Sequence, residues 1–153
     1  MDIQLLTVPD PRLRQKSKPV EEIDDYIREL SKEMLARLDV TVDGVKYIGV
    51  SACQFGEMIQ LIAIKLQGLE IVLANPSIVK STGRRISIEG CMSIPGKLYQ
   101  VHRPKIVKVR GLTLNGTIKT IKGHDLLAAC LCHETDHCSG VMIDTLGYIV
   151  PGR

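Results

Sequence analysis

"CHETDH", residues 132–137, sets two histidines four positions apart, with a glutamate directly after the first. On an α-helix, positions i and i+4 share a face, so His133 and His137 would point the same way. H-E-x-x-H on a helix is the pattern of a catalytic metal site. The surrounding residues predict a helix from Asp125 to Ser139, with Gly140 as its stop. Two histidines and two acids on an interior helix are costly to bury unless a metal ion or hydrogen bonds satisfy them.

Upstream of that helix the pattern changes. Residues 58–65 and 69–74 read as strands joined by a tight turn at Gln67-Gly68. "NPSIVKS" and "RRISIEG" suggest two further strands around a turn near Gly83. Lys105 to Leu114 and Thr117 to Lys122 flank Asn115-Gly116, a strong hairpin signal, with Gly123 closing the hairpin. Before the strands, Ile23, Tyr26, Ile27, Leu30, Met34, Leu35 and Leu38 recur at helical spacing and predict an amphipathic helix over 24–39, capped by Asp24. Residues 1–20 hold three prolines and read as an irregular arm, and the last dozen as strand-like or irregular. The expected fold is α+β: a mostly antiparallel sheet with an N-terminal covering helix and a C-terminal helix carrying the histidines, in a single domain over 1–153.

Two histidines do not hold a metal alone. A third histidine six positions downstream would complete one known pattern, but that position is Ile143. A downstream glutamate would complete another, but the one carboxylate after His137 is Asp144. The third ligand is therefore expected upstream, in "EGCMSIP" (89–95), where Cys91 follows a glycine at a predicted strand end. One thiolate and two imidazoles form a known catalytic set with a fourth position left for water. Cys132 and Cys138 lie about 100° around the helix from the neighbouring histidines. Cys130 shares the histidine face, where packing is its expected role.

The whole-chain totals narrow the class. A length of 153 residues suits one domain, and 44% hydrophobic with 24% charged residues is the balance of a soluble globular protein. A net charge of +3 is too small to argue for nucleic acid. Five cysteines, three crowded around the histidines, make a poor disulfide framework and fit a reducing compartment. The N-terminus shows no signal-peptide pattern and no apolar run approaches a membrane span, so the expected location is bacterial cytoplasm or an organelle matrix.

With Cys91 joined to the two histidines, the chain resembles the peptide deformylase family. That family carries G-x-G-x-x-x-x-Q, E-G-C-x-S and H-E-x-x-H in this order. Here Glu89 to Ser93 complete the second and His133 to His137 the third, while the first runs to Gln54 with Tyr47 in place of its opening glycine. "PDPRLR" and "NPSI" also look like family stretches. Two other positions depart: Cys53 stands where proline is common, and Cys132 where glutamine is usual.

The resemblance implies hydrolysis of the formyl group from the N-terminal formyl-methionine of newly made proteins, releasing formate. It implies one divalent metal ion per chain, iron(II) foremost and zinc, nickel or cobalt as alternatives, on Cys91, His133 and His137. Glu134 would move the proton between water and the leaving amine. The Gln54 amide and the Met92 N–H would donate to the developing oxyanion. Ile48 and Gly49 would meet the substrate backbone, and Leu126, Ala129 and Cys130 would wall the methionine pocket. The expected partners are formylmethionyl nascent peptides, with transient ribosome contact not made through the C-terminal docking helix of some bacterial members, and neither specific nucleic acid nor membrane. Two alternatives stand beside this: a small metallopeptidase cutting ordinary peptide bonds, and a degenerate relative whose metal site is closed by a fourth thiolate and structural.

Overall fold

Asp24 caps the first helix as expected: its carboxylate accepts the Ile27 N–H at 2.9 Å, and α1 runs Asp25–Arg37. Ile27, Leu30 and Met34 form its buried stripe. The computed structural model describes residues 1–151; Gly152 and Arg153, the end of the expected 1–153 domain, lie outside the described residues.

The described residues form two antiparallel sheets. The larger holds β1 (Gly49–Ser51), β2 (Leu61–Leu66), β3 (Leu69–Thr82), β6 (Ile106–Leu112) and β7 (Ile118–His124), in that spatial order. The smaller holds β4 (Arg85–Cys91), β5 (Ile94–Arg103) and β8 (Tyr148–Ile149). Between them runs α2 (Asp125–Cys138), which touches strands of both sheets. This is the α+β architecture the sequence predicts.

Strand alternation divides the core. Leu61, Ala63 and Ala74 turn to one face of the larger sheet and pack with Leu30 and Met34 of α1. Ile62, Ile64, Leu73, Val107 and Val109 turn to the other and pack with Ala128 and Leu131 of α2. The smaller sheet closes against a one-turn helix, α3 (Ile143–Leu146), through Tyr99, Val101 and Ile143.

Turns form where the dipeptides predict them. Gln67 and Gly68 both have positive φ between β2 and β3, and Gly116 has φ +79° between β6 and β7. Other expectations need correction. "NPSIVKS" is not a separate strand; β3 runs through it for 14 residues, and Pro76 falls in a register shift between Ala74 and Ser77, where a missing N–H costs little. The turn at Gly83 does not make a hairpin, because β3 pairs with β6 while β4 pairs with β5 across in the other sheet. Gly123 does not end its hairpin but lies inside β7; a Cβ there would stand 2.8 Å from a Leu131 methyl, so its role is close approach of strand to helix.

The sequence pattern assigns nothing to 94–103, where β5 lies. Tyr99, Val101 and Arg103 alternate inward there, but a buried arginine breaks the apolar pattern that marks a strand.

Candidate metal centre

The register of α2 and the end of β4 bring three ligand-type side chains together. His133 and His137, one helical turn apart, have ring centroids separated by 5.2 Å. Cys91 is the last residue of β4, and its Sγ lies 3.5 Å from His137 Nε2. One ligand atom from each of Cys91, His133 and His137 lies within 4.8 Å of the others, and all three residues are buried.

The donor set fits a divalent cation. One thiol and two imidazoles converge with no basic side chain among them. Burial holds His137 well below its ordinary range and so favours the neutral, ligating imidazole. Burial would also push His133 down, but Glu134, Cys91 and Glu89 together raise it well above its ordinary range. Its Nδ1 is engaged by Glu89 Oε1 at 2.9 Å, which leaves Nε2 for the cluster.

Glu89 is held in turn. Arg103 donates Nε to Oε2 at 2.9 Å and Nη2 to Oε1 at 2.8 Å, a two-pronged pair, and its Nη1 reaches Asp136 Oδ2 at 2.6 Å. Burial pushes the Glu89 carboxyl up, but Arg103 and His133 overcome this and hold it at about 2. The imidazole is thus oriented by a carboxylate that is itself locked by a buried guanidinium. Sequence reasoning quoted Glu89 as part of a motif and gave it no role, and it missed Arg103 entirely. Asp136 is the third member of this network.

Glu134 is 3% exposed and lies beside the cluster. Ser51 Oγ donates to its backbone carbonyl at 2.7 Å and meets Oε1 at 3.3 Å. Burial pushes its carboxyl up to about 7, against the pull of a charged His133 and the Ser51 hydroxyl. A carboxyl in that range can both take and return a proton near neutrality.

Gln54 sits in a 3-10 turn, Ala52–Phe55, whose first N–H-bearing cap, Ser51, donates to Gln54 Oε1 at 2.9 Å. That bond fixes which end of the amide faces the cluster: Nε2 donates to Ser93 Oγ at 3.0 Å and lies 3.6 Å from Cys91 Sγ. Met92 follows Cys91 in the two-residue link from β4 to β5.

A cavity of about 460 Å³ opens onto this assembly. Ile48, Gly49, Leu126, Ala129 and Cys130 line it, and so do Gln54, Met92, His133 and Glu134. Every residue expected at the substrate site therefore borders one space. The Ile48 carbonyl also accepts the Lys65 N–H at 2.8 Å. Tyr47 turns inward as part of the cavity wall and packs against the α1 core.

The remaining thiols stay apart from the cluster. Cys132 and Cys138 are buried in the apolar layer between α2 and the larger sheet, and Cys53 Sγ points to the His137 carbonyl at 3.6 Å. All five cysteines are free, and among the described residues none besides Cys91 belongs to the ligand group.

The family profile described as polypeptide deformylase matches residues 3–147. A peptide deformylase of Alkaliphilus metalliredigens is 44% identical over 143 residues, covering 93% of this chain and 95% of that protein. The crystal structure of a peptide deformylase from Legionella pneumophila superposes with TM-score 0.88 at 35% identity, covering 95% of this chain and 86% of that one. One from Synechococcus elongatus, solved in complex with actinonin, gives TM-score 0.88 at 37% identity and covers 95% and 78%.

Proposed function

The chain belongs to the polypeptide deformylase family, and we propose that it hydrolyses the formyl group from the N-terminal formyl-methionine of newly made proteins, releasing formate. The observation that carries this reading is the convergence of Cys91, His133 and His137 beside Glu134 at one apolar-walled cavity. Cys91 Sγ and the two imidazoles would hold one divalent ion, iron(II) foremost, with zinc, nickel or cobalt able to replace it. Bound there, the ion supplies Lewis acidity and lowers the pKa of water toward about 7.

The chain's own groups do the rest. Leu126, Ala129 and Cys130 enclose the methionine side chain, while Ile48 and Gly49, at the start of the edge strand β1, meet the substrate backbone. Glu134 accepts the proton of the attacking water and returns it to the departing amine. As the formyl carbon becomes tetrahedral, the Gln54 amide and the Met92 N–H donate to its oxygen; losing one such donor typically costs about 10²–10³ in rate. Glu89 keeps the His133 tautomer that leaves Nε2 for the ion. One domain working in bacterial cytoplasm or an organelle matrix, with nascent formylmethionyl peptides as substrates and transient ribosome contact, completes the reading.

The test is metal content and formate release from a formyl-Met-Ala-Ser peptide after anaerobic purification. One ion per chain, formate release, loss on chelation and recovery on reloading iron(II) are expected. A bound ion with no formate release under any of the four metals would overturn the reading.

Gly49 supplies a second expectation. A Cβ there would stand 2.7 Å from Glu134 Oε2 and 2.8 Å from Cys130 Sγ, so Gly49→Ala must push the base aside. A displacement on that scale is expected to lower kcat on the order of 10²-fold with metal content unchanged. An unaltered kcat would mean that Glu134 has another working position.

A further inference from the structure

The net charge of +3 conceals a segregation. From Ile71 to His124 the chain has ten basic residues and one acid, Glu89, which is buried against Arg103; the rest of the chain has ten basic residues and sixteen acids. The sheet register concentrates this charge. Lys80 on β3 is the direct partner of Lys108 on β6, and Lys108 is the direct partner of Lys122 on β7. Arg110, two residues along β6, stands opposite Ser77 and Thr120. All four cations lie on the face turned away from α2, because Val107 and Val109, which alternate with them, pack on α2.

The core around α1 covers this face over β2, the first part of β3 and the end of β6 at Leu112. Beyond it the face is open, with a shallow depression of about 340 Å³ bordered by Ser77, Val79, Arg110 and Ile118. Edge-strand lysines commonly deter strand pairing, which accounts for Lys122 on β7. It also covers Lys80, since β2 pairs with β3 only as far as Ala74, but it does not account for Lys108 on the interior strand β6. Like charges directly opposite one another destabilise a sheet. Among the described residues, none of the four takes part in an ion pair. A row of this kind, costly in isolation, is compensated when an anionic partner faces it.

We infer that this open face docks on the phosphate backbone of double-helical RNA. Three strands about 4.8 Å apart spread the lysine row over roughly 10 Å, a span that meets several phosphates of a helix. No Phe, Tyr or Trp occurs in β3, β6 or β7, so the stacking platform that single strands require is missing. Double-stranded RNA is held instead by shape and backbone contacts. The choice of RNA rests on the proposed function, whose substrates are made on an RNA-built machine.

The experiment is fluorescence anisotropy of a labelled 20-base-pair RNA duplex with the metal-loaded protein across a KCl series. Four phosphate contacts are expected to give a slope of log K against log salt of about −3 to −4. Lys80→Gln/Lys108→Gln/Lys122→Gln is expected to reduce that slope by about 3 and weaken binding at least about 10-fold at 0.1 M salt. A control triple on exposed lysines elsewhere, Lys16→Gln/Lys18→Gln/Lys32→Gln, leaves binding as it was. Both triples release formate from free peptide as before, and the first melts no lower than the parent, since it removes like-charge opposition. Absence of RNA binding at low salt, equal binding by the first triple, or binding to 70:30 phosphatidylcholine:phosphatidylserine vesicles in preference to RNA overturns the inference. The two readings fail separately: formate release reports on the metal centre, and the salt slope reports on this face.

Discussion

Glu134→Gln is expected to lower formate release by about 10²–10⁴-fold while each chain keeps one metal ion. The side chain is the same size, so the buried pocket beside His133 stays filled, and the Ser51 hydroxyl can still meet an amide oxygen. What disappears is the capacity to take a proton. Cys91, His133 and His137 are untouched, so metal content separates loss of the base from collapse of the site.

The pH profile adds a second signature. Burial pushes the Glu134 carboxyl up to about 7, and the carboxylate is the working form, so kcat/KM of the parent rises as pH increases through its pKa. A cation in the cluster stabilises the carboxylate, so this limb is expected at or below about pH 7. In the glutamine variant the limb vanishes. Activity within a few-fold of the parent would remove Glu134 from the mechanism, and loss of the metal would make it a structural residue. The unformylated peptide, run alongside, addresses the metallopeptidase alternative: the reading here expects no cleavage of its peptide bonds. The closed structural site, which would need Cys130, Cys132 or Cys138 as a fourth ligand, is disfavoured by geometry, since among the described residues no thiol besides Cys91 joins the ligand group.

How much of this could be read from the chain follows from where the information resides. The histidine pair is local: four residues on a helix set its geometry, and Cys91 follows because both downstream solutions fail at Ile143 and Asp144. Asn115-Gly116, Gln67-Gly68 and Asp24 likewise act through their own backbone, and the turns and cap form where they stand. Information held in pairing was invisible. Nothing local says that the strand after Gly83 leaves β3 and joins the other sheet. Nothing says that Arg103, 14 residues after Glu89, folds back onto its carboxylate. The lysine row exists only once the register of β3, β6 and β7 is known. Ser51 illustrates the same limit at the site: it lies inside a motif, but its bond to Glu134 joins residues 83 positions apart.

Arg103→Leu carries the largest expected effect on stability. The guanidinium is 5% exposed and makes both bonds to Glu89 and one to Asp136. Removing one member of a buried pair strands the other's charge and typically costs about 3–5 kcal/mol. Glu89→Leu/Arg103→Leu is expected to regain much of that loss, because the buried Glu89 charge goes as well and only the partly exposed Asp136 is left without its partner. Only this double variant also frees His133 Nδ1, so it should bind metal about 10–100-fold more weakly despite its better stability. The pH dependence distinguishes the two further. In the parent, Glu89 has a folded pKa of about 2, below its unfolded value near 4.3, so its stabilisation is complete above that unfolded value and is lost as pH falls toward 2. In Arg103→Leu the carboxyl keeps its burial and loses its guanidinium, so the sign reverses and acidification through the carboxylate range relieves the stranded charge. Urea melts at several pH values read both effects. A single variant as stable as the parent at neutral pH, with an unchanged acid response, would show that the Arg103–Glu89 pair does not hold the two sheets' shared helix in place.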